Sequence, residues 1–264
     1  MIDVPLKPLA GKKGLVLGIA NEHSIAYGCA QAFAALGAEL AITYRDEKSR
    51  RYVEPLATEL AAPIFLPCDV EAPGQLEAVF GVMNETWGKI DFALHSIAFA
   101  PKQDLQGRLA DSSRDGFLRA MDVSCHSFIR MAGLAAPLMR DGGSIFAMTY
   151  YGAEKVIEHY NLMGPVKAAL ESAVRYLAYE FGPAGIRVHA ISPGPVKTRG
   201  TAGIRLGARA HKKPGQHRGR RHGNGLACHR LRQADHRRHG LHRWRVPHPR
   251  IAGVIRNGSL GRVL

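Results

Sequence analysis

Six short apolar runs, separated by longer segments of helical period, set the tightest limit on how this chain can fold. The runs are residues 14–19, 39–44, 64–67, 90–95, 144–149 and 187–191. Helical patterns fill the gaps at 24–37, 47–60, 75–87, 117–139 and 166–181. Strands that alternate with helices need right-handed crossovers, which put helices on both faces of a parallel sheet. The expected class is α/β, a doubly wound parallel sheet. In the last helical pattern Val166, Ala169, Leu170, Ala173, Val174, Leu177 and Phe181 recur at three- and four-residue steps and read as a core stripe without chemistry of its own. Ligands of such sheets lie beyond the carboxyl ends of the strands, so the residues there decide function.

The pattern stops near residue 204, and the chain's charge changes there too. Of 36 Lys and Arg and 22 Asp and Glu, residues 205–264 hold 16 and one (Asp235), which leaves 20 bases and 21 acids in residues 1–204. The body is therefore neutral, and the formal charge of +14 belongs to an Arg/His/Gly-rich tail. Two regions are expected: a domain over 1–204 and a poorly ordered basic tail over 205–264. Arg218-Gly219-Arg220-Arg221-His222 would hold phosphates only non-specifically, so no specific nucleic-acid partner is expected. His236, His239 and His242, like Cys228-His229, lie among eight histidines of a biased composition and are read as chance, so no metal is expected. Cys29, Cys68, Cys125 and Cys228 are too scattered for a zinc ribbon or a disulfide scaffold. No signal peptide or spanning segment is evident, which points to a cytoplasmic protein away from the membrane.

The first strand runs into Gly18-Ile19-Ala20-Asn21-Glu22-His23-Ser24-Ile25-Ala26-Tyr27-Gly28. A glycine turn leading into a helix N-terminus offers backbone N–H groups and a positive dipole end to a pyrophosphate. Gly18 would make the sharp turn, Ser24 would cap the helix and donate to a phosphate, and Gly28 would let the helix approach the sheet. The spacing is wider than GxGxxG, so this loop alone does not separate a dinucleotide cradle from an ordinary strand–turn–helix. Later strand ends add weight. Tyr44-Arg45 sits where an adenosine ribose would lie, Asp69-Val70 where adenine would, and His95-Ser96-Ile97-Ala98 along a cofactor's path. A guanidinium at Arg45 would suit the 2′-phosphate of NADPH.

After the fifth strand come Tyr150, Tyr160 and Lys167. A tyrosine hydroxyl beside a nicotinamide can donate to an oxygen that turns negative during hydride transfer, and a nearby ammonium lowers the cost of the tyrosine anion. Without the cofactor loop, the same residues would read as a core tyrosine and a surface lysine. Taken with Gly18-x5-Ser24-Ile25-Ala26-Tyr27-Gly28, Asp69-Val70, Ser96-Ile97-Ala98-Phe99-Ala100 and Ile191-Ser192-Pro193-Gly194-Pro195-Val196-Lys197-Thr198, however, Tyr150-x9-Tyr160-x6-Lys167 resembles the enoyl-acyl-carrier-protein reductases of the short-chain dehydrogenase/reductase superfamily. Position 163 is Met, so the common Tyr-x3-Lys spacing is absent, which disfavours a ketoacyl reductase.

The resemblance covers roughly residues 6–204. It implies a Rossmann-like fold and an enzyme that reduces the C2–C3 double bond of trans-2-enoyl-acyl carrier protein with NADH, in fatty-acid elongation. It also implies catalytic roles for Tyr150, Tyr160 and Lys167. Gly18, Ser24, Ile25, Asp69, Val70, Ser96, Ile97, Ala98, Lys167 and Val196 would meet the cofactor, and Ala100, Tyr150 and Tyr160 the acyl substrate. Asp46 beside Arg45 favours NADH over NADPH. Members of the family usually form homotetramers and continue past Thr198 into an apolar lid and a final strand. Here that last strand is replaced by the basic tail, the composition of a GC-rich gene read out of frame. The alternative is a non-catalytic dinucleotide-binding scaffold whose tail docks on polyanions.

Overall fold

The computed structural model describes residues 7–194. The expected Val196, the boundary at 204 and the tail of 205–264 lie outside the described residues. Six parallel strands form one sheet in the order β3-β2-β1-β4-β5-β6: β1 (Lys13–Leu17), β2 (Glu39–Tyr44), β3 (Ile64–Pro67), β4 (Phe92–His95), β5 (Gly143–Met148) and β6 (Ile186–Ile191). The helices are α1 (Ile25–Ala35), α2 (Glu47–Glu59), α3 (Gln75–Trp87), α4 (Lys102–Gln106), α5 (Arg114–Met121), α6 (Ser127–Ala135) and α7 (Met163–Phe181). This is the expected doubly wound arrangement, with its switch point between β1 and β4, where β1 pairs β2 on one side and β4 on the other.

Side-chain alternation assigns the two faces. Leu15 and Leu17 of β1, Ala93 of β4, and Ile145 and Ala147 of β5 pack in one core with Phe128, Met131, Leu170 and Val174. Val16, Ile42, Phe92, Leu94 and Met148 point the other way and pack with Ala26, Tyr27 and Ala30 of α1. The α7 stripe lies as its period predicts: Val166, Leu170, Val174 and Leu177 are buried, and Phe181 is packed against the core.

The structure differs from the sequence reading in several places, each with a local cause. β1 stops at Leu17 because Gly18 turns to φ 105°. Ile90 lies outside β4 because its N–H goes to the carbonyl of Leu138. The single helix expected over 117–139 is broken by a π turn at Asp122–His126 and a 3₁₀ turn at Ala136–Leu138. Just past the π turn the Ser127 hydroxyl donates back to the carbonyl of Val123, inside it, at 2.7 Å, a side-chain competitor for a backbone acceptor that apolar periodicity does not register. Gly28 is exposed and a Cβ there would meet nothing within 4 Å, so close packing on the sheet is not its reason.

Candidate functional site

The carboxyl ends of β1, β4 and β5 converge at the switch point. Gly18 is required there. Besides its positive φ, a Cβ at this position would overlap the carbonyl oxygen of Ser96 at the exit of β4. The Ser96 N–H in turn donates to the Leu17 carbonyl at 3.0 Å, so the loops leaving β1 and β4 are held against each other.

Ser24 occupies the N-cap position of α1 but makes no side-chain cap, contrary to expectation. Its Oγ instead accepts the N–H groups of Ala20 at 2.9 Å and Asn21 at 3.0 Å, folding the loop back on itself. The first N–H groups of α1, those of Ile25 and Ala26, have no acceptor among the described residues. Two free amides at the positive end of an eleven-residue helix, beside a loop that only glycine can make, suit an anionic phosphate.

The β3 exit is built as carefully. The Asp69 N–H donates to Gln75 Oε1 at 2.8 Å, and Asp69 Oδ1 accepts from the Glu71 N–H at 3.0 Å. The carbonyl of buried Val70 accepts from Arg130 Nη1 at 3.1 Å, and Arg130 also pairs with Glu77 at 2.7 Å. At the β2 exit Arg45 donates through Nε and Nη2 to Asp46 Oδ2, at 3.0 and 2.7 Å. The other Asp46 oxygen accepts the Ser49 N–H and caps α2. Arg45 foremost holds the Asp46 carboxyl down at about 2.

Beyond β5 the structure brings Tyr150, Tyr160 and Ala100 into one apolar cluster with Leu105, Ile157 and Val166. The two tyrosine rings meet edge to face, 4.9 Å between centroids. Tyr160 is 8% exposed, and Gly152 lies so close to its ring that a side chain there would collide with it. Burial, reinforced by Tyr150 and Glu171, raises the Tyr160 hydroxyl above its ordinary value, so it is a neutral donor. Lys167, on the first turns of α7, is 3% exposed and donates from Nζ to the Met148 carbonyl at 2.7 Å. Burial lowers its pKa to about 8, against the opposing pull of Cys125 and Glu171.

Several polar groups here, His95 apart, gave no sequence signal. Glu171, one turn beyond Lys167, is buried and accepts from the Thr149 hydroxyl at 2.7 Å. Ser124 grips Phe99, accepting its N–H at 2.9 Å and donating to its carbonyl at 3.1 Å. Buried His95 meets Ser127 Oγ at 2.7 Å through Nε2, and burial foremost depresses its pKa to about 3, so it is neutral. Since the Ser127 hydroxyl proton is given to Val123, His95 Nε2 carries the donating hydrogen. Their signal is polarity at core positions, which the period of a strand or helix averages away. No cluster of three or more metal-ligating side chains occurs among the described residues.

The 3-2-1-4-5-6 sheet, the glycine turn at its switch point, and a buried tyrosine and lysine beyond β5 define the short-chain dehydrogenase/reductase class. A family profile described as Enoyl-(Acyl carrier protein) reductase matches residues 18–222. Enoyl-[acyl-carrier-protein] reductase [NADH] 1 of Rhizobium meliloti (strain 1021) is 53% identical over 194 residues, 74% of this chain and 71% of that protein. The crystal structure of an enoyl-(acyl-carrier-protein) reductase from Anaplasma phagocytophilum in complex with NAD superposes with a TM-score of 0.72 at 47% identity, covering 76% of each chain. The Bacillus cereus enoyl-acyl carrier protein reductase with NADP+ and indole naphthyridinone gives 0.72 at 43% identity, over 74% of this chain and 77% of that one. The chain belongs to the enoyl-acyl-carrier-protein reductase family.

Proposed function

We propose that the chain reduces the C2–C3 double bond of trans-2-enoyl-acyl carrier protein with NADH. The observation that carries this reading is a neutral, buried Tyr160 in an apolar cluster, followed seven residues later by buried Lys167 near the start of α7. The residues fit a dinucleotide. The unpartnered amides of Ile25 and Ala26 and the turn at Gly18 would hold the pyrophosphate. Asp69 and Val70 would meet adenine, and Ser96, Ile97 and Ala98 would line the path from β4. Ser24 would act by shaping the loop. The coenzyme supplies the hydride.

The chain's own residues supply position and charge. Tyr160 would donate its hydroxyl hydrogen to the thioester carbonyl as negative charge builds there, an interaction strongest in the transition state. Lys167, anchored to Met148 by one hydrogen, would offer its two other N–H groups to the ribose hydroxyls. Tyr150 and Ala100 would wall the reacting end of the acyl chain. Arg45 is neutralised by Asp46, which favours NADH over its 2′-phosphate analogue.

The reductase domain would end near residue 204, with 205–264 as a separate basic tail. Exposed Phe117 and Leu118 on α5 and Tyr176 and Tyr179 on α7 support association of several copies, as the family's homotetramers imply. No helix among the described residues is long and apolar enough to cross a membrane, which supports a cytoplasmic site of action. NADH consumption by the full chain with a short trans-2-enoyl thioester tests the reading. Turnover is expected. Coenzyme binding by folded protein without turnover would favour the scaffold instead.

A further inference from the structure

The residue after Tyr160 holds a neighbouring helix in place. Asn161 Nδ2 donates to the carbonyl of Leu105 at 3.1 Å and to the carbonyl of Gly107. Both acceptors lie at the carboxyl end of α4, which has only five residues. The last carbonyls of any helix lack partners within it, and a helix this short does not persist without outside support. Leu105, the first of the two acceptors, packs against the cluster that contains Tyr160, Ala100 and Tyr150.

Two further features set Asn161 apart. Its backbone has φ 21° and that of His159 has φ 63°, so the chain passes through left-handed geometry on both sides of Tyr160. Asn tolerates such geometry better than most residues with a side chain. Elsewhere α4 is held by Asp104, whose Oδ1 accepts the Ser113 N–H at 2.6 Å while its buried Oδ2 has no partner among the described residues. Asn161 therefore supplies the bonds at the carboxyl end of α4 from a position one peptide away from the tyrosine.

We propose that Asn161 is a positioning residue that couples the ordering of α4 to the placement of Tyr160, and so sets how well the acyl substrate is held. With its carboxamide in place, Leu105 stays seated against the tyrosine cluster. Without it, two carbonyls must find water, α4 loosens, and one wall of the cluster goes with it. The coenzyme contacts at β1, β3 and β4 do not depend on α4. The kinetic part rests on the reading of Tyr160 as the substrate's hydrogen-bond donor; the structural part does not.

Asn161→Gly and Asn161→Asp in the full chain test it. Gly accepts the backbone geometry and lacks the carboxamide, while Asp keeps the shape and lacks the N–H donor. Both should speed amide exchange across residues 102–107 by about tenfold or more, through the loss of both hydrogen bonds. Exchange in β1, β4 and β5 should stay as it was. KM for the enoyl thioester should rise by about tenfold while KM for NADH holds. Unchanged exchange at 102–107, faster exchange throughout the sheet, or an unmoved thioester KM would each overturn the coupling. Failure of the functional reading shows elsewhere: in an unsubstituted chain that does not turn over, or in full turnover by Tyr160→Phe. The exchange measurement decides the role of Asn161 in either case.

Discussion

Lys167 Nζ gives one hydrogen to the main-chain carbonyl of Met148, 2.7 Å away, so the last residue of β5 fixes where the ammonium on α7 can reach. The bond aims the two remaining N–H groups, and it is made by a cation that is almost wholly buried. Replacing Lys167 with Met removes the charge and keeps most of the apolar stem. The variant should lose at least about tenfold in coenzyme affinity as well as in rate, the cost of losing charge-assisted hydrogen bonds. Coenzyme titration by fluorescence would check this, and unchanged affinity would remove Lys167 from the ribose.

The same burial gives a pH dependence whose sign can be worked out. Lys167 holds its proton more weakly folded, at about 8, than unfolded, at 10.5. Between these values the unfolded chain binds more protons at this site, so the lysine's contribution to stability rises with pH. Below about 8 the folded protein bears the full cost of the buried charge. Activity should move the other way, falling above pH 8 as the cation is lost. Comparing Lys167→Met with the wild type cancels the other titrating groups. The variant's relative stability should decline from pH 8 to 10.5 in urea unfolding, and a flat difference would mean the ammonium is not the titrating group.

Tyr160→Phe removes one hydroxyl from the cluster that includes Tyr150 and Val166. The raised pKa argues that this oxygen works as a protonated donor rather than as an anion. An oxyanion donor of this kind is worth about 3–4 kcal/mol, so kcat should fall by about 10²–10³-fold with NADH affinity intact. Stability should change little, because the hydroxyl has no partner among the protein's own hydrogen bonds in the described residues. A variant with wild-type turnover would assign the role to another residue.

How much of this was legible in the sequence depends on the kind of signal. The alternation of apolar runs predicted all six strands and the sheet class, because burial on both faces of a parallel sheet demands it. Tyr150, Tyr160 and Ala100 were singled out by the family resemblance, and the fold brings them into one cluster. What stayed hidden was long-range and polar. Glu171 looks like an ordinary helix residue until Thr149, 22 positions away, is placed against it. Asn161 reads as a loop residue until α4 folds back onto it. Ser24 matches a helix cap in sequence, yet its hydroxyl is taken by Ala20 and Asn21. Side-chain bonds between distant segments leave no periodicity to read.

Gly18→Ala probes the switch point. The new methyl would press on the Ser96 carbonyl in a backbone conformation that alanine resists. Relief requires the β1 and β4 exits to part, which should weaken coenzyme binding by about tenfold and lower stability by about 1–3 kcal/mol. Isothermal titration with NADH and a urea melt would check both. Undiminished NADH binding would show that the pyrophosphate does not lie over this turn.

The proposed reading makes coenzyme choice turn on Arg45 and Asp46. Two hydrogen bonds from the guanidinium end on one oxygen of the carboxylate, and the other oxygen caps α2. Asp46→Asn keeps a good capping side chain and deletes the charge that occupies Arg45. The pair is largely exposed, with side chains 66% and 37% accessible, so its loss should cost little stability. The released guanidinium would then be available to the 2′-phosphate of NADPH, a group that the similar Bacillus cereus structure holds as NADP+. The ratio of kcat/KM for NADPH to that for NADH should rise by about tenfold, through NADPH, with NADH nearly unchanged. Arg45→Gln in the same background should cancel the gain. If Asp46→Asn leaves the ratio where it was, Arg45 does not face the coenzyme ribose, and the preference for NADH has another source.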